Sequence, residues 1–85
     1  MFSVEFSNKS KKFLKKCDSG LCKRILDKIS LLKESPVLHD SKKVINEERT
    51  FRVRVGDYRI LYKVKWEYEA VIIGRIDKRP RVYHR

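Results

Sequence analysis

The segment Phe51–Val64, FRVRVGDYRILYKV, alternates apolar and basic residues on both sides of a Gly-Asp pair. Alternation with a period of two is typical of a half-buried β-strand, and a Gly-X pair favours a two-residue type II′ turn, because glycine accepts a positive φ at the first central position. A hairpin with this turn places Arg54 directly opposite Arg59. Like charges in opposite positions destabilise a sheet, so the sequence predicts that this positive potential acts on something outside the fold.

The charge of the whole chain also indicates a polyanionic partner. Lys and Arg number 22 against 11 Asp and Glu, so the 85 residues carry a formal charge of +11. Such an excess is typical of proteins that bind nucleic acid, the ribosome, an anionic membrane or an acidic protein. No apolar run approaches the ~18–20 residues that span a bilayer. The N-terminus has no recognisable signal peptide, and we therefore expect a cytoplasmic protein without a membrane partner.

The cysteines give no sign of a metal site. Cys17 and Cys22 are the only two, and a reducing compartment disfavours a disulfide between them. A zinc site needs about four ligands, and neither His39 nor His84 lies at a metal-binding spacing from the pair. We expect no metal and no cofactor, with both cysteines acting as small apolar residues beside a turn between helices.

The first 40 residues are predicted to form a strand and a helical hairpin. Phe2–Phe6 alternates like a short strand, and Ser7 or Asn8 can cap the helix that follows. Asp18-Ser19-Gly20 interrupts the helical pattern, and a second helix continues to about residue 34. The apolar stripe of that second helix is predicted to consist of Leu21, Cys22, Ile25, Leu26, Ile29 and Leu32.

The second half of the chain is predicted to be mainly β-structure. A polar connector, with Val44-Ile45 as a candidate short strand, precedes the hairpin, and a turn is expected near Glu67-Tyr68. Ala70–Ile76, AVIIGRI, is almost continuously apolar, as expected of a central strand covered on both faces. A basic tail ends the chain, with Val82-Tyr83 as a candidate edge strand.

These elements predict one α+β domain over residues 1–85, in which the N-terminal strand and the helical hairpin pack on one face of a twisted, mainly antiparallel β-sheet. The apolar side of the hairpin would hold the helices. The opposite side would be a basic concavity interrupted by Leu61. The cations expected on that side are Arg52, Arg54, Arg59, Lys63 and Lys65.

The hairpin and the end of the chain resemble a known family. FRVRVGDYRILYKV, followed by an apolar strand and GRIDKRPRVYHR, resembles the RelE/ParE superfamily of toxins from prokaryotic type II toxin–antitoxin modules, RelE-like branch. The motifs R-x-G-D-Y-R-[IV]-[LI]-Y and R-x-x-[VY]-Y carry the likeness, and the helical hairpin and the length agree with it. The resemblance implies the RelE-like fold and a ribosome-dependent endonuclease that cleaves translated mRNA in the ribosomal A site and inhibits translation.

The resemblance also implies roles for single residues. Arg52 and Arg54 match basic residues, commonly lysines in the family, that contact the scissile region, and Arg59 matches an arginine that binds the phosphate. Arg79 matches a basic residue after the last long strand, and Tyr83 matches a tyrosine near the C-terminus. This chain departs from the best-known pattern, because both lysines are replaced by arginine and the spacing from Arg79 to Tyr83 is two residues shorter.

RNA cleavage without a metal needs a base for the 2′-hydroxyl, charge stabilisation at the phosphorus and an acid for the leaving 5′-oxygen. Arginine holds two phosphate oxygens with its planar fork, but its pKa is too high for proton exchange. We therefore expect Arg59 and Arg79 to clamp the scissile phosphate. Tyr83 is the candidate base, since nearby cations favour its phenolate, and His84 is the alternative. The candidates for binding RNA are Arg52, Arg54, Lys63, Lys65, Arg81 and His84.

Three functions remain open at this point. Besides the mRNA endonuclease, the same fold is compatible with a ParE-like inhibitor of DNA gyrase and with a non-catalytic basic RNA-binding module, and the hairpin arginines could be no more than a solvated face. Both toxin interpretations imply an acidic, RelB-like antitoxin encoded nearby and a hetero-oligomeric toxin–antitoxin complex. The endonuclease additionally requires the ribosome and mRNA as partners.

Overall fold

The structure, a computed structural model, describes residues 1–78 as two helices packed on one face of a five-stranded sheet. The elements in chain order are β1 (Ser3–Phe6), α1 (Asn8–Lys16), α2 (Ser19–Glu34), β2 (Lys42–Lys43), β3 (Thr50–Val55), β4 (Tyr58–Lys65), a 3₁₀ turn (Trp66–Tyr68) and β5 (Ala70–Lys78). The strands lie in the order β1-β5-β4-β3-β2, and only the β1–β5 pair is parallel among them. The α+β fold predicted from the sequence is confirmed, and β1 joins the sheet as an edge strand.

Both helices begin at residues that can cap them. The Ser7 hydroxyl accepts a hydrogen bond from the N–H of Ser10 at 3.1 Å, and the Asp18 carboxylate accepts one from the N–H of Leu21 at 2.8 Å. Cys17 ends α1 with extended backbone, which allows α2 to start two residues later. Both cysteines are free at this turn, and burial raises the pKa of the Cys17 thiol above its usual value.

The core lies between α2 and the sheet. Leu21, Ile25, Ile29 and Leu32 are buried along one side of α2. The predicted stripe was too wide, because Leu26 is 40% exposed and Cys22 is only half-buried; both are rotated about 100° away from the buried row. The buried sheet residues that meet this row are Val53, Ile60, Tyr62, Val64, Val71, Ile73 and Ile76.

The β3–β4 hairpin has the register predicted from its alternation. Gly56 has φ of 58°, as the first central position of a type II′ turn requires. Arg54 lies opposite Arg59, and the apolar pairs are Val55–Tyr58, Val53–Ile60 and Phe51–Tyr62. The basic residues of both strands therefore lie on the sheet face that points away from the helices.

A β-bulge at Gly74 determines which residues of β5 enter the core. Leu61 pairs with Arg75, whereas the next residue of β4 pairs with Ile73, so Gly74 is the extra residue. Ile73 and Ile76 are consequently both buried, although strict alternation would place them on opposite faces. The prediction that both faces of this strand are covered is wrong beyond Ile73, because Gly74 and Arg75 are exposed on the open face. The bulge explains why Ile76 nevertheless reaches the core.

The first turn of α1 is hydrogen-bonded to this bulge. The fully buried Ser10 hydroxyl donates to the carbonyl oxygen of Ile73 at 2.9 Å, and the Ser7 hydroxyl donates to the carbonyl oxygen of Gly74 at 2.8 Å. β1 ends at the same level, because Phe6 is its last residue paired with β5. The remaining part of β5, which carries Arg75, therefore lies beside α1 rather than beside a strand.

The connector between α2 and β3 is held against the core by Tyr62. Its buried hydroxyl donates to the carbonyl oxygen of Pro36 at 2.8 Å and lies 2.8 Å from the hydroxyl of Ser41. Burial raises the pKa of Tyr62, so the phenol stays protonated and able to donate. The short strand β2 in this connector precedes the predicted position, Val44-Ile45, because Ile45 is already part of the exposed turn.

Tyr62→Phe is expected to lower the free energy of unfolding by about 1–2 kcal/mol, because the Pro36 carbonyl loses its buried donor. Urea denaturation followed by circular dichroism measures this value. Tyr68→Phe removes the same atom from an exposed side chain and is the matched control, with an expected change below about 0.5 kcal/mol. Equal unfolding free energies for the two variants would contradict the role assigned to the Tyr62 hydroxyl.

Candidate functional site

The sheet face opposite the helices is open, and its side chains lie in rows fixed by the strand register. Rows are about 7 Å apart along a strand, and neighbouring strands are about 4.8 Å apart. The row beside the hairpin turn consists of Arg54, Arg59 and Asp77. The second row consists of Lys42, Arg52, Leu61 and Arg75. The third row consists of Thr50, Lys63, Ile72 and Glu5. Cations from β2, β3, β4 and β5 therefore lie on one surface, at spacings comparable to the size of a nucleotide.

The middle of this face is apolar. Leu61 and Ile72 are half-buried neighbours on β4 and β5. A cavity of about 290 Å³ opens over them, and Lys63, Gly74 and Arg75 contribute to its wall. The rim consists mainly of cations, although Glu47 also contributes to it. An apolar floor with such a rim suits a nucleotide, because the base has an apolar face and the phosphate is anionic.

Asp77 connects two arginines of the face. Its Oδ1 accepts a hydrogen bond from Arg59 Nε at 2.9 Å, and its Oδ2 lies 3.1 Å from Arg75 Nε. The Arg59, Asp77 and Arg75 side chains are 27%, 32% and 49% exposed, so all three are accessible from solvent. Both contacts use Nε, which leaves the terminal nitrogens of each guanidinium outside these two ion pairs.

The position of Arg59 between Arg54 and Asp77 sets the electrostatics of the first row. Arg54 on β3 is a like charge directly opposite, which raises the energy of the sheet. Asp77 on β5 is an opposite charge directly opposite, which lowers it. The carboxylate therefore offsets part of the repulsion that the hairpin register imposes.

The structure places five predicted site residues on this open face, namely Arg52, Arg54, Arg59, Lys63 and Lys65. Lys65 lies apart from the other four, because it pairs with Ala70 beyond the end of β3. Their chemical roles stay predictions. The other four predicted site residues lie outside the described residues, and these are Arg79, Arg81, Tyr83 and His84. What residues 1–78 supply chemically is charge stabilisation by guanidinium groups, without an assigned base.

The sequence reasoning missed Lys42, Arg75 and Asp77. The signal for the last two was the alternation R-I-D at the end of β5, in which Ile76 is buried and its neighbours are not. That alternation becomes informative only once the bulge at Gly74 is known. Lys42 was missed because its strand has only two residues and no periodicity.

Among residues 1–78, no group of three or more His, Cys, Asp or Glu side chains lies close enough together to hold a metal ion. In the same part of the chain, no helix combines the length and the apolar character needed to cross a membrane.

The fold is that of the RelE toxins. Isolated RelE of E. coli superposes with a TM-score of 0.85 at 20% identity, covering 95% of this chain and 87% of that chain. The archaeal RelE–RelB complex from Pyrococcus horikoshii gives a TM-score of 0.84 at 26% identity, covering 95% of this chain and 98% of the other.

The family follows from the sequence match. Residues 4–83 match the family described as the ParE toxin of type II toxin–antitoxin system, parDE. The protein designated RelE1 of Methanocaldococcus jannaschii is 31% identical over 85 residues, which cover 96% of this chain and 94% of that protein. The chain belongs to the ParE toxin family of type II toxin–antitoxin systems, within the RelE/ParE superfamily that its hairpin resembles.

Arg54→Gln is expected to raise the free energy of unfolding by about 0.2–1 kcal/mol at low salt, because it removes the like charge opposite Arg59. The gain should shrink at 0.5 M NaCl, where exposed charges are screened. Urea denaturation at both salt concentrations measures it. Lys33→Gln, an exposed cation in the last turn of α2, is the control for net charge. A loss of stability in Arg54→Gln at low salt would contradict the assigned repulsion.

Proposed function

We propose that this toxin is an endoribonuclease that acts on the ribosome and cleaves translated mRNA in the A site. The observation that carries the proposal is the set of arginines from β3, β4 and β5 on one open sheet face. An open cationic face suits a phosphodiester better than a small neutral substrate. The family membership supports a toxin, and the RelE structures of 26–29% identity support the RelE branch.

The proposed reaction is attack of an RNA 2′-oxygen on the adjacent phosphorus. The P–O bond to the 5′-oxygen breaks, which leaves a 2′,3′-cyclic phosphate on one product and a 5′-hydroxyl on the other. Arg59 and Arg79 would hold the non-bridging oxygens, and Arg52 and Arg54 would position the strand. Tyr83 would react as its phenolate and take the 2′-hydroxyl proton, and the leaving 5′-oxygen would take a proton from water.

The ribosome has a specific part in this proposal. Guanidinium groups stabilise charge but do not exchange protons near neutral pH, so the described face by itself supplies only part of the required chemistry. Ribosomal binding would hold mRNA with its 2′-oxygen in line with the phosphorus, which is an entropic contribution of several kcal/mol in well-oriented reactions. The free protein is therefore expected to cleave RNA poorly. Action on ribosomes also implies a cytoplasmic protein.

An acidic antitoxin of the RelB type, encoded nearby, is the proposed partner. A net charge of +11 favours an acidic protein as the ligand. The similar toxins from Pyrococcus horikoshii and Mycobacterium tuberculosis, at 26% and 28% identity, are described in complexes with RelB-type proteins. Such an antitoxin would inhibit by covering or neutralising the arginine face within a hetero-oligomeric complex.

Inhibition of DNA gyrase is the second candidate function. The family description, which names the ParE toxin, favours it. The arginines of the open face favour the nuclease instead, because they have no evident use in a gyrase inhibitor. A third candidate, a non-catalytic RNA-binding module, uses the same face but leaves RNA intact, and its binding would fall steeply with salt.

Arg59→Ala is expected to lower ribosome-dependent cleavage about 100-fold or more, because a preorganised cation that stabilises transition-state charge is lost. Primer extension on mRNA translated in a reconstituted system measures the cut positions and rates. Cells should tolerate expression of Arg59→Ala but not of the wild type. Lys33→Ala, which removes a cation from the last turn of α2 on the helix side of the sheet, is the control and should cleave like the wild type.

Intact transcripts after incubation with wild-type toxin and translating ribosomes would contradict the nuclease. Accumulation of cleaved gyrase–DNA complexes in the same cells would favour the gyrase inhibitor instead. Salt-sensitive RNA binding with neither effect would favour the non-catalytic module.

A further inference from the structure

We propose that Arg59 and Arg75 form a two-arginine phosphate site and that Asp77 is its built-in competitor, whose carboxylate an RNA phosphate displaces. The idea rests on the proposed function in one respect, namely that the phosphate belongs to RNA; Arg75 would then be a cation additional to the Arg59 and Arg79 pair proposed for the scissile phosphate. The anion site itself requires no cleavage, no ribosome and no residue beyond position 78.

The geometry of the carboxylate is that of a phosphate substitute. Asp77 gives one oxygen to each arginine, at 2.9 Å from Arg59 Nε and 3.1 Å from Arg75 Nε. A phosphodiester likewise has two non-bridging oxygens that can contact two different guanidinium groups. The arginines lie on neighbouring strands, so the sheet rather than the carboxylate keeps their backbones close together.

Exchange of the two anions should cost little folding energy. All three side chains are partly exposed, and ion pairs of that kind contribute little to stability, typically below about 1 kcal/mol. A phosphate group that replaces the carboxylate keeps both arginines paired with an anion. The carboxylate, once displaced, is exposed enough to be hydrated.

The surroundings of Arg75 allow a phosphate to approach. Arg75 lines the cavity of about 290 Å³ over the apolar floor. It also lines a groove of about 720 Å³ between α1 and β5, to which Asp77, Lys9 and Lys12 contribute. An RNA strand that lies along the open face would therefore contact Arg75 and Asp77 at the border between this cavity and this groove.

An ordinary structural role for Asp77 predicts the opposite sign of effect. If the carboxylate only orients Arg59 for its ligand, its removal should weaken phosphate binding. If the carboxylate competes with the ligand, its removal should strengthen binding. The sign of the change thus separates a positioning residue from a competitor.

The test compares Asp77→Asn with the wild type in binding inorganic phosphate and a short RNA whose 2′-hydroxyls are replaced by hydrogen. Dissociation constants are measured by NMR titration and fluorescence anisotropy at one fixed salt concentration, without ribosomes. Asp77→Asn is expected to bind both probes roughly five- to tenfold more tightly, because a like charge beside the bound phosphate is removed. Glu67→Gln is the matched control, since Glu67 is also a carboxylate paired with an arginine, Arg49, at the other end of β4. The dissociation constants of Glu67→Gln are expected to change less than about twofold, because salt screens the charge of Glu67 at its distance from the phosphate site.

Weaker binding by Asp77→Asn, or binding equal to that of Glu67→Gln, would overturn the proposal. Arg75→Gln gives an independent measurement should Asp77→Asn fail to fold. It is expected to weaken phosphate binding at least about fivefold, and unchanged binding would overturn the assignment of Arg75. Cleavage is measured separately, so tight binding by Asp77→Asn in a toxin that cuts no mRNA would leave this inference standing while the proposed function fails. If the wild type cleaves mRNA but Asp77→Asn binds phosphate no more tightly than the wild type, the proposed function stands and this inference fails.

Discussion

The β-bulge at Gly74 is the constraint on which both the core and the candidate site depend. A shift of one residue in register moves every following side chain to the other face of a sheet. With the bulge, Ile73 and Ile76 both enter the core, and Arg75 and Asp77 lie on the open face beside Arg59. Without it, strict alternation from Ile73 would direct two charged side chains into the core and expose Ile76. The hydrogen bonds from the first turn of α1 to the carbonyl oxygens of the bulge stabilise this arrangement.

The sequence was informative where structure is set by nearby residues. Alternation and the Gly56-Asp57 pair were sufficient to predict the β3–β4 hairpin and the Arg54–Arg59 pairing, because a two-residue turn fixes the register. The start of α2 could be predicted from Asp18, since capping is also local.

The bulge could not be predicted in this way, because it exists only in relation to the partner strand β4. The apolar run of β5 therefore looked like a strand covered on both sides, and Arg75 and Asp77 were overlooked. The same reason applies to β2, whose two residues are strand only through their pairing with β3. The exposure of Leu26 has another cause, because the rotation of α2 against the sheet determines how many residues of the apolar stripe are buried.

The arginine pair on the open face lowers the stability of the sheet. Arginine directly opposite arginine is unfavourable in a sheet, and Asp77 compensates on one side only. A domain of 85 residues has a modest core and little stability to lose. In the proposed function, the RNA would supply the missing counter-charge when it binds and would offset the cost of this pair.

The fold alone does not select between the activities of this superfamily, because one fold can present different side chains on the same face. For the proposed nuclease, the question is which groups stabilise charge and which groups transfer protons. Residues 1–78 place arginines from neighbouring strands on one surface, and arginine cannot exchange protons near neutral pH. In the proposed nuclease, Tyr83 or His84 would supply the base. The sheet would then act as a preformed phosphate-binding surface, and cleavage would require the correctly oriented mRNA that translation supplies.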